Sequence, residues 1–121
     1  MKAVKRIKIG ITAAAVVFGL TACFGGGDDY SIAASKTYEA SLFRQHCAIC
    51  HGPEGDGRTL DDGTIVPSLR HGDFKKRTPG EVRRQIVEGG NGMAPFGSQL
   101  SEREVQMMVD LVHDKLRKNS L

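Results

Sequence analysis

Residues 47 to 51 read Cys47-Ala48-Ile49-Cys50-His51, and the interpretation of the whole chain turns on them. On a helix, positions three and four apart share a face, so both thiols and the imidazole can project together. Upstream, Phe43 and Cys47, with Tyr38, Leu42 and His46 beside them, follow helical spacing from Thr37 to about Cys50. Downstream, residues 52 to 72 hold five of the 15 glycines with Pro53 and Pro67, which predicts loop with no strand alternation. Thr78-Pro79-Gly80-Glu81 joins an N-cap, a first-turn proline and a reciprocal Glu. That helix turns Val82, Ile86 and Val87 inward and stops at Gly89-Gly90. Ser101-Glu102-Arg103-Glu104 is a second capping box. It opens a helix with Val105, Met108, Val109, Val112 and Leu116 on one stripe, running to about Lys118. The expected class is all-α, with three to five short helices separated by glycine-rich loops.

A length of 121 residues allows one small domain with appendages and excludes doubly wound and barrel folds. With 40% hydrophobic and 26% charged residues, wholesale disorder is excluded too. A folded part of roughly 85 residues, with five Phe, two Tyr and no Trp in the chain, buries little apolar surface and needs a staple. Three cysteines make a disulfide framework a poor candidate. A zinc site would want a second Cys pair or paired histidines, and His46, His71 and His113 lie at unsuitable spacings. A thioredoxin-like motif opens a helix after a strand, whereas this pentad closes a helix. The spacing is that of covalent haem attachment: two thioethers from Cys47 and Cys50, with the adjoining His51 reaching the iron.

The N-terminal segment reads as an address. Lys2, Lys5, Arg6 and Lys8 precede an apolar run, Ile9 to Leu20, that ends in small residues. Twelve helical residues span about 18 Å, short of a hydrocarbon core of about 30 Å. Residues 1–22 are therefore expected to be a cleaved signal. Leu20-Thr21-Ala22-Cys23 resembles a bacterial lipobox, which implies acylation of Cys23, and Phe24 after it leans toward an outer membrane. Residues 23–36 are expected to be the acylated Cys and a flexible tether, and residues 37–121 the domain. Without residues 1–22 the chain carries 13 basic against 14 acidic side chains, so its net charge of +3 does not support nucleic-acid binding.

The ordered set Leu42-Phe43-Arg44-Gln45-His46-Cys47-Ala48-Ile49-Cys50-His51-Gly52, Val66-Pro67-Ser68-Leu69, Gly92-Met93-Ala94-Pro95-Phe96 and Leu100-Ser101-Glu102-Arg103-Glu104-Val105 resembles the class I cytochrome c superfamily, particularly its small bacterial monohaem members. The resemblance implies one haem c wrapped by short helices. Met93, in a loop 42 residues after His51, would be the second axial iron ligand, with Gly92 allowing close backbone approach. His71 and His113 are the runner-up ligands, and Met107 and Met108 are read as core. The Pro67 carbonyl would accept the Nδ1 proton of His51. Two positions depart from the family pattern. Glu39 stands where a glycine is usual at the crossing of the first and last helices, and aliphatics around Leu111 replace a usual aromatic.

Asp56, Asp61 and Asp62 lack calcium-loop spacing, because Arg58 falls where an oxygen ligand is needed. Arg70, Lys75, Lys76, Arg77, Arg83 and Arg84 form a cationic run that reads either as a solvated face or as a patch that steers an acidic redox partner. The expectation is a membrane-tethered, extracytoplasmic carrier of single electrons rather than an enzyme. A fixed cytochrome subunit of a larger oxidoreductase, or a five-coordinate haem enzyme or gas sensor, are the alternatives.

Overall fold

The computed structural model describes residues 29–117. The expected signal peptide, Cys23 and Lys118 lie outside them. Helix α1 spans Tyr38–His46 and α2 spans Ala48–His51. A two-residue hairpin follows, with β1 Arg58–Thr59 antiparallel to β2 Ile65–Val66. Helix α3 spans Pro79–Glu88 and α4 spans Glu102–Asp110; α4 runs on as a π-helical stretch, Leu111–Leu116.

Both expected capping boxes form. The Thr78 side chain accepts from the Glu81 N–H and the Glu81 carboxylate from the Thr78 N–H, and Ser101 and Glu104 repeat the pattern on α4. The expected first helix is instead two pieces, broken at Cys47 (φ −114°, ψ −37°). The N–H groups of Cys50 and His51 both turn to the Cys47 carbonyl, at 3.1 and 2.9 Å. The loop expected over residues 52 to 72 contains the hairpin, which two residues per strand are too few to announce by alternation.

The core joins the buried faces of three helices: Ala40, Leu42 and Phe43 of α1, Val82 and Ile86 of α3, and Val105, Met108 and Val109 of α4. Leu111, Val112 and Leu116 extend it. Glu39, in place of the usual glycine, accepts from Lys115 Nζ at 2.6 Å, while its neighbour Ala40 is wholly buried. The small side chain at the crossing is thus displaced by one position.

The tether boundary needs correcting. Ile32 is fully buried in the core, so the fold begins near Tyr30 and not at residue 37. The Glu54 carboxylate accepts from the backbone N–H groups of Ile32 (2.7 Å) and Ala33 (2.9 Å) and from the Ser31 hydroxyl (2.9 Å). Arg70 donates to the Tyr30 carbonyl (2.7 Å) and to Glu54 Oε2 (3.0 Å). Partial burial disfavours the Glu54 charge, but these donors outweigh it and hold its pKa below the usual value. A glycine-rich approach segment gave no sign of a buried clamp 22 residues away.

Ile32→Ala should lower holoprotein stability by about 2–5 kcal/mol, the range for truncating a buried aliphatic. Guanidinium unfolding followed by circular dichroism checks this, and an unchanged midpoint would restore the tether reading. A second test uses pH. Glu104 accepts from Tyr38 Oη at 2.5 Å as well as from Ser101, and these bonds depress its pKa from 4.5 to about 2. A depressed carboxylate stabilises the fold above its unfolded pKa, and that contribution fades as pH falls toward the folded value. The melting-temperature gap between wild type and Glu104→Gln should therefore be full at pH 6, shrink below pH 4.5 and close near pH 2.

Candidate functional site

The break at Cys47 sets the site. It ends α1 and starts a single turn that carries Cys50 and His51 away from the α1 axis. Both cysteines are free thiols. Cys47 is half-buried against the core, and burial, with the neighbouring Cys50, pushes its thiol up to about 12. Cys50 is exposed. Ile49, between them, is 74% exposed, an unusual state for an isoleucine.

His51 is kept neutral. Burial lowers its pKa, and the Pro67 carbonyl works weakly in the opposite direction. Its Nδ1 is buried yet closes no hydrogen bond of good geometry. The backbone behind it is drawn in by Gly57, whose N–H donates to the His51 carbonyl at 2.9 Å. At φ +80°, a Cβ on Gly57 would fall 2.4 Å from the Val66 oxygen and 2.8 Å from the Pro67 carbonyl carbon. Only glycine permits this approach.

Met93 is half-buried against the core on the far side of α3 in sequence. Gly90 and Met93 exchange N–H···O bonds at 2.8 and 3.0 Å around Asn91 (φ 53°) and Gly92 (φ 85°). Two positive φ values at the centre are the signature of a type I′ turn. Within the protein, the close backbone approach in this turn is at Gly89. Nothing lies within 4 Å of a Cβ on Gly92, but one on Gly89 would fall 2.5 Å from the Met93 oxygen and 2.7 Å from the Pro95 nitrogen. Gln85 Nε2 donates to the Gly90 carbonyl (2.9 Å) and approaches Met93 Sδ at 3.8 Å. Sequence reasoning missed Gln85. Its place on α3, one helical turn before the stop at Gly89, was the available signal.

The chain after Met93 folds back onto α3, with Phe96 N–H on the Ile86 carbonyl at 2.9 Å. The Phe96 ring then meets His46 edge-on, with centroids 6.1 Å apart. The methionine loop is thereby packed against the residue preceding Cys47. Of the runner-up ligands, His71 Nε2 lies 3.9 Å from Asp56 and His113 Nδ1 lies 2.6 Å from Asp114. Among the described residues, no group of three or more His, Cys, Asp or Glu could hold a bare metal ion. Two free thiols, a neutral imidazole with a buried orphan nitrogen and a thioether in a fixed turn do suit a thioether-linked porphyrin with an iron centre.

The family profile described as cytochrome c oxidase, cbb3-type, subunit III matches residues 37–112. The chain belongs to the class I cytochrome c family. Cytochrome c6 from Synechococcus sp. strain PCC 6312 is 27% identical over 89 residues, which cover 74% of this chain and 78% of that protein. The solved KustC0563 c-type cytochrome has a TM-score of 0.53 and 31% identity, covering 60% of this chain and 89% of its own. A single-residue variant of that protein gives 0.54 at 31% identity, covering 63% and 95%. As a small monohaem c-type cytochrome, this chain binds haem c covalently through its own side chains and is a haem-based electron-transfer protein.

The cationic run is less uniform than its sequence suggests. Arg70 is buried and holds Glu54 and the Tyr30 carbonyl, so it is no docking residue. Arg83 is bound to Glu102 across the α3–α4 packing. Lys75, Arg77 and Arg84 are exposed and Lys76 half-exposed.

Gly57→Ala and Gly63→Ala separate backbone strain from collision. Both sit at positive φ, but a Cβ on Gly63 meets nothing within 4 Å. Gly63→Ala should cost about 1 kcal/mol for the left-handed backbone alone. Gly57→Ala should cost about 1–3 kcal/mol more and lower the yield of haem-loaded protein. Denaturation midpoints and the haem-to-protein absorbance ratio of the purified chains check this, and equal effects would refute the cradle.

Proposed function

We propose that the chain is a membrane-tethered, extracytoplasmic carrier of single electrons, with haem c held through Cys47 and Cys50 and its iron ligated by His51 and Met93. The observation that carries this reading is the pairing of two fixed presentations. One helical turn offers two free thiols and a neutral imidazole, and a glycine-cradled turn packed beside it offers a thioether. The haem supplies a one-electron iron couple, and a soft sulfur ligand favours its reduced state.

The protein's own groups do the rest. His51 stays neutral and therefore able to donate a lone pair. Pro67 faces Nδ1, where a proton fixes the tautomer, and hydrogen bonding there would raise the ligand's basicity. Gln85 directs an N–H dipole toward the Met93 sulfur, which favours added electron density. With His51 and Met93 both holding the iron, no position would be left for a substrate, which favours a carrier over an enzyme. Cys50 and Ile49 are exposed, so a porphyrin edge held at Cys50 would be open to a redox partner.

The N-terminal cationic and apolar segment ending in Leu20-Thr21-Ala22-Cys23 supports export and lipid anchoring. Among the described residues, no helix is long and apolar enough to cross a membrane. The description of the matching family profile names an oxidase subunit, which favours a fixed input subunit as the second reading. Stable co-purification with a membrane oxidoreductase would select it.

Spectroelectrochemistry of the purified holoprotein tests the reading. A single reversible one-electron wave with a low-spin spectrum is expected. Met93→Ala should give a high-spin ferrous form that binds carbon monoxide and has a lower potential. Gln85→Leu should keep the ligand and lower the potential alone. A Met93→Ala spectrum identical to wild type would remove Met93 from the iron.

A further inference from the structure

We propose that Glu54 and Arg70 are positioning residues for the iron: their pairing fixes the register that sets the Pro67 carbonyl against Nδ1 of His51, and so sets how strongly that ligand donates to the metal. This rests on the reading of His51 as an axial ligand. The first support is a register that runs well beyond the two-residue strands. The Leu60 N–H donates to the Thr64 carbonyl at 2.8 Å, Thr59 pairs with Ile65, and Arg58 pairs with Val66. In the same count Gly57 lies against Pro67, the Leu69 N–H donates to the Gly55 carbonyl at 2.8 Å, and the Arg70 guanidinium binds Glu54. Each step back along one side is matched by one step forward along the other. Residues 54–60 and 64–70 therefore keep a single antiparallel register, and Glu54 with Arg70 closes its open end.

Such a run needs a lock. A two-stranded hairpin is marginally stable by itself, and this one is interrupted by Gly55 and Gly57 at positive φ. A slip of one residue would put another peptide group where Pro67 stands. At the closed end, the Gly63 N–H holds the turn by donating to the Leu60 carbonyl at 2.9 Å. At the open end Arg70 uses the fork of its guanidinium. Its Nε donates to the Glu54 carbonyl, and a terminal nitrogen donates to the Glu54 carboxylate at 3.0 Å. Asp56 Oδ1 stands 3.8 Å from the same Nε. The Glu54 carboxylate also accepts from Ser31, Ile32 and Ala33, and Ile32 is fully buried. The lock is thus fastened to the hydrophobic core through the N-terminal strap.

His51 is held by the same run. Its carbonyl accepts from the Gly57 N–H at 2.9 Å, and Pro67 is the residue that faces Gly57. Its Nδ1 is buried, and the Pro67 carbonyl is the acceptor that acts on it. The bond that holds the ligand's backbone and the group that faces its ring are therefore set by one rung, three residues from the Glu54–Arg70 pair. An acceptor at Nδ1 makes an imidazole a stronger donor, which favours the oxidised metal. Loss of the register should weaken that effect and raise the potential.

The test uses the purified holoprotein in its reduced form. Arg70→Lys keeps the charge and loses the fork, and Glu54→Asp keeps the charge and shortens the reach. Neither changes the net charge, so a shift in potential cannot come from adding or removing one. Each should speed solvent exchange of the His51 Nδ1 proton about tenfold, read by nuclear magnetic resonance, and raise the reduction potential. Val109→Ala, a buried truncation in α4, should lower stability and leave both readings at wild-type values. A merely structural role for the pair would give that same result in all three variants, and wild-type exchange and potential in Arg70→Lys and Glu54→Asp overturn the proposal. Where a variant yields no haem-loaded chain, the wild type decides. The Leu69 amide and the Nδ1 proton should open together, and a Leu69 amide that exchanges freely while Nδ1 stays protected overturns the proposal. The same spectra separate the two failures. His51 ring protons without an upfield displacement by the porphyrin ring current overturn the ligand reading, whereas displaced ring protons with unchanged exchange overturn the register lock alone.

Discussion

The break at Cys47 starts a separate turn that carries Cys50 and His51, and the loops around that turn are held by backbone approaches that only glycine permits. A continuous α-helix would have carried Cys50 and His51 further along the α1 axis. The break at Cys47 redirects them, and Gly57 then draws the Val66–Ser68 backbone in behind His51. Gly89 does the same for the Met93 turn. Both close approaches are between backbone and backbone, so neither survives a β-carbon. The glycines thus set how closely the Val66–Ser68 and Met93–Pro95 backbones approach the segments they pack on.

What the sequence made legible was local. The capping boxes at Thr78 and Ser101 each lie within four consecutive residues and form as read. The stripe on α4 repeats at helical spacing and is buried as read. Long-range features left no such trace. Glu54 looks like a loop acid until its oxygens meet the N–H groups of Ile32 and Ala33, and Arg70 looks like one cation of six until it closes on Glu54 and Tyr30. Ile32 alone among polar and small residues carries no periodicity, so its burial is invisible before the strap is seen to dock. In the site, the haem c was legible from the pentad and the family resemblance. Gln85 was not, because its approach to sulfur depends on the turn at Gly90 to Met93.

Glu39 shows how a departure from the family pattern is absorbed. A carboxylate at a helix crossing is costly unless partnered. Here Lys115 supplies the partner at 2.6 Å, hydrogen bonding lowers the Glu39 pKa and raises that of Lys115, and the close contact moves to Ala40. Lys115 lies within the π-helical stretch that replaces the end of α4. A π turn changes the angular position of every residue after it. The ion pair thus ties α1 to the π-helical stretch.

Two buried arginines complete the picture in a domain short of large apolar side chains. Arg70 and Arg117 direct their donors mainly at backbone carbonyls, those of Tyr30, Glu54, Leu69 and Lys76. A guanidinium is planar and offers several donors in a fixed fork, so each arginine locks two loop segments at once. Burial works against the Arg117 charge and lowers its pKa. Bracing of this kind suits electron transfer. A carrier works fastest when its ligands and the loops behind them sit in the same place before and after the electron moves, and long loops would otherwise be the first elements to shift. In this chain the loop around Pro67 is tied to the last helix by Arg117 and to the N-terminal strap by Arg70. The rigidity that a larger core would have provided comes instead from charged side chains bound to peptide oxygens.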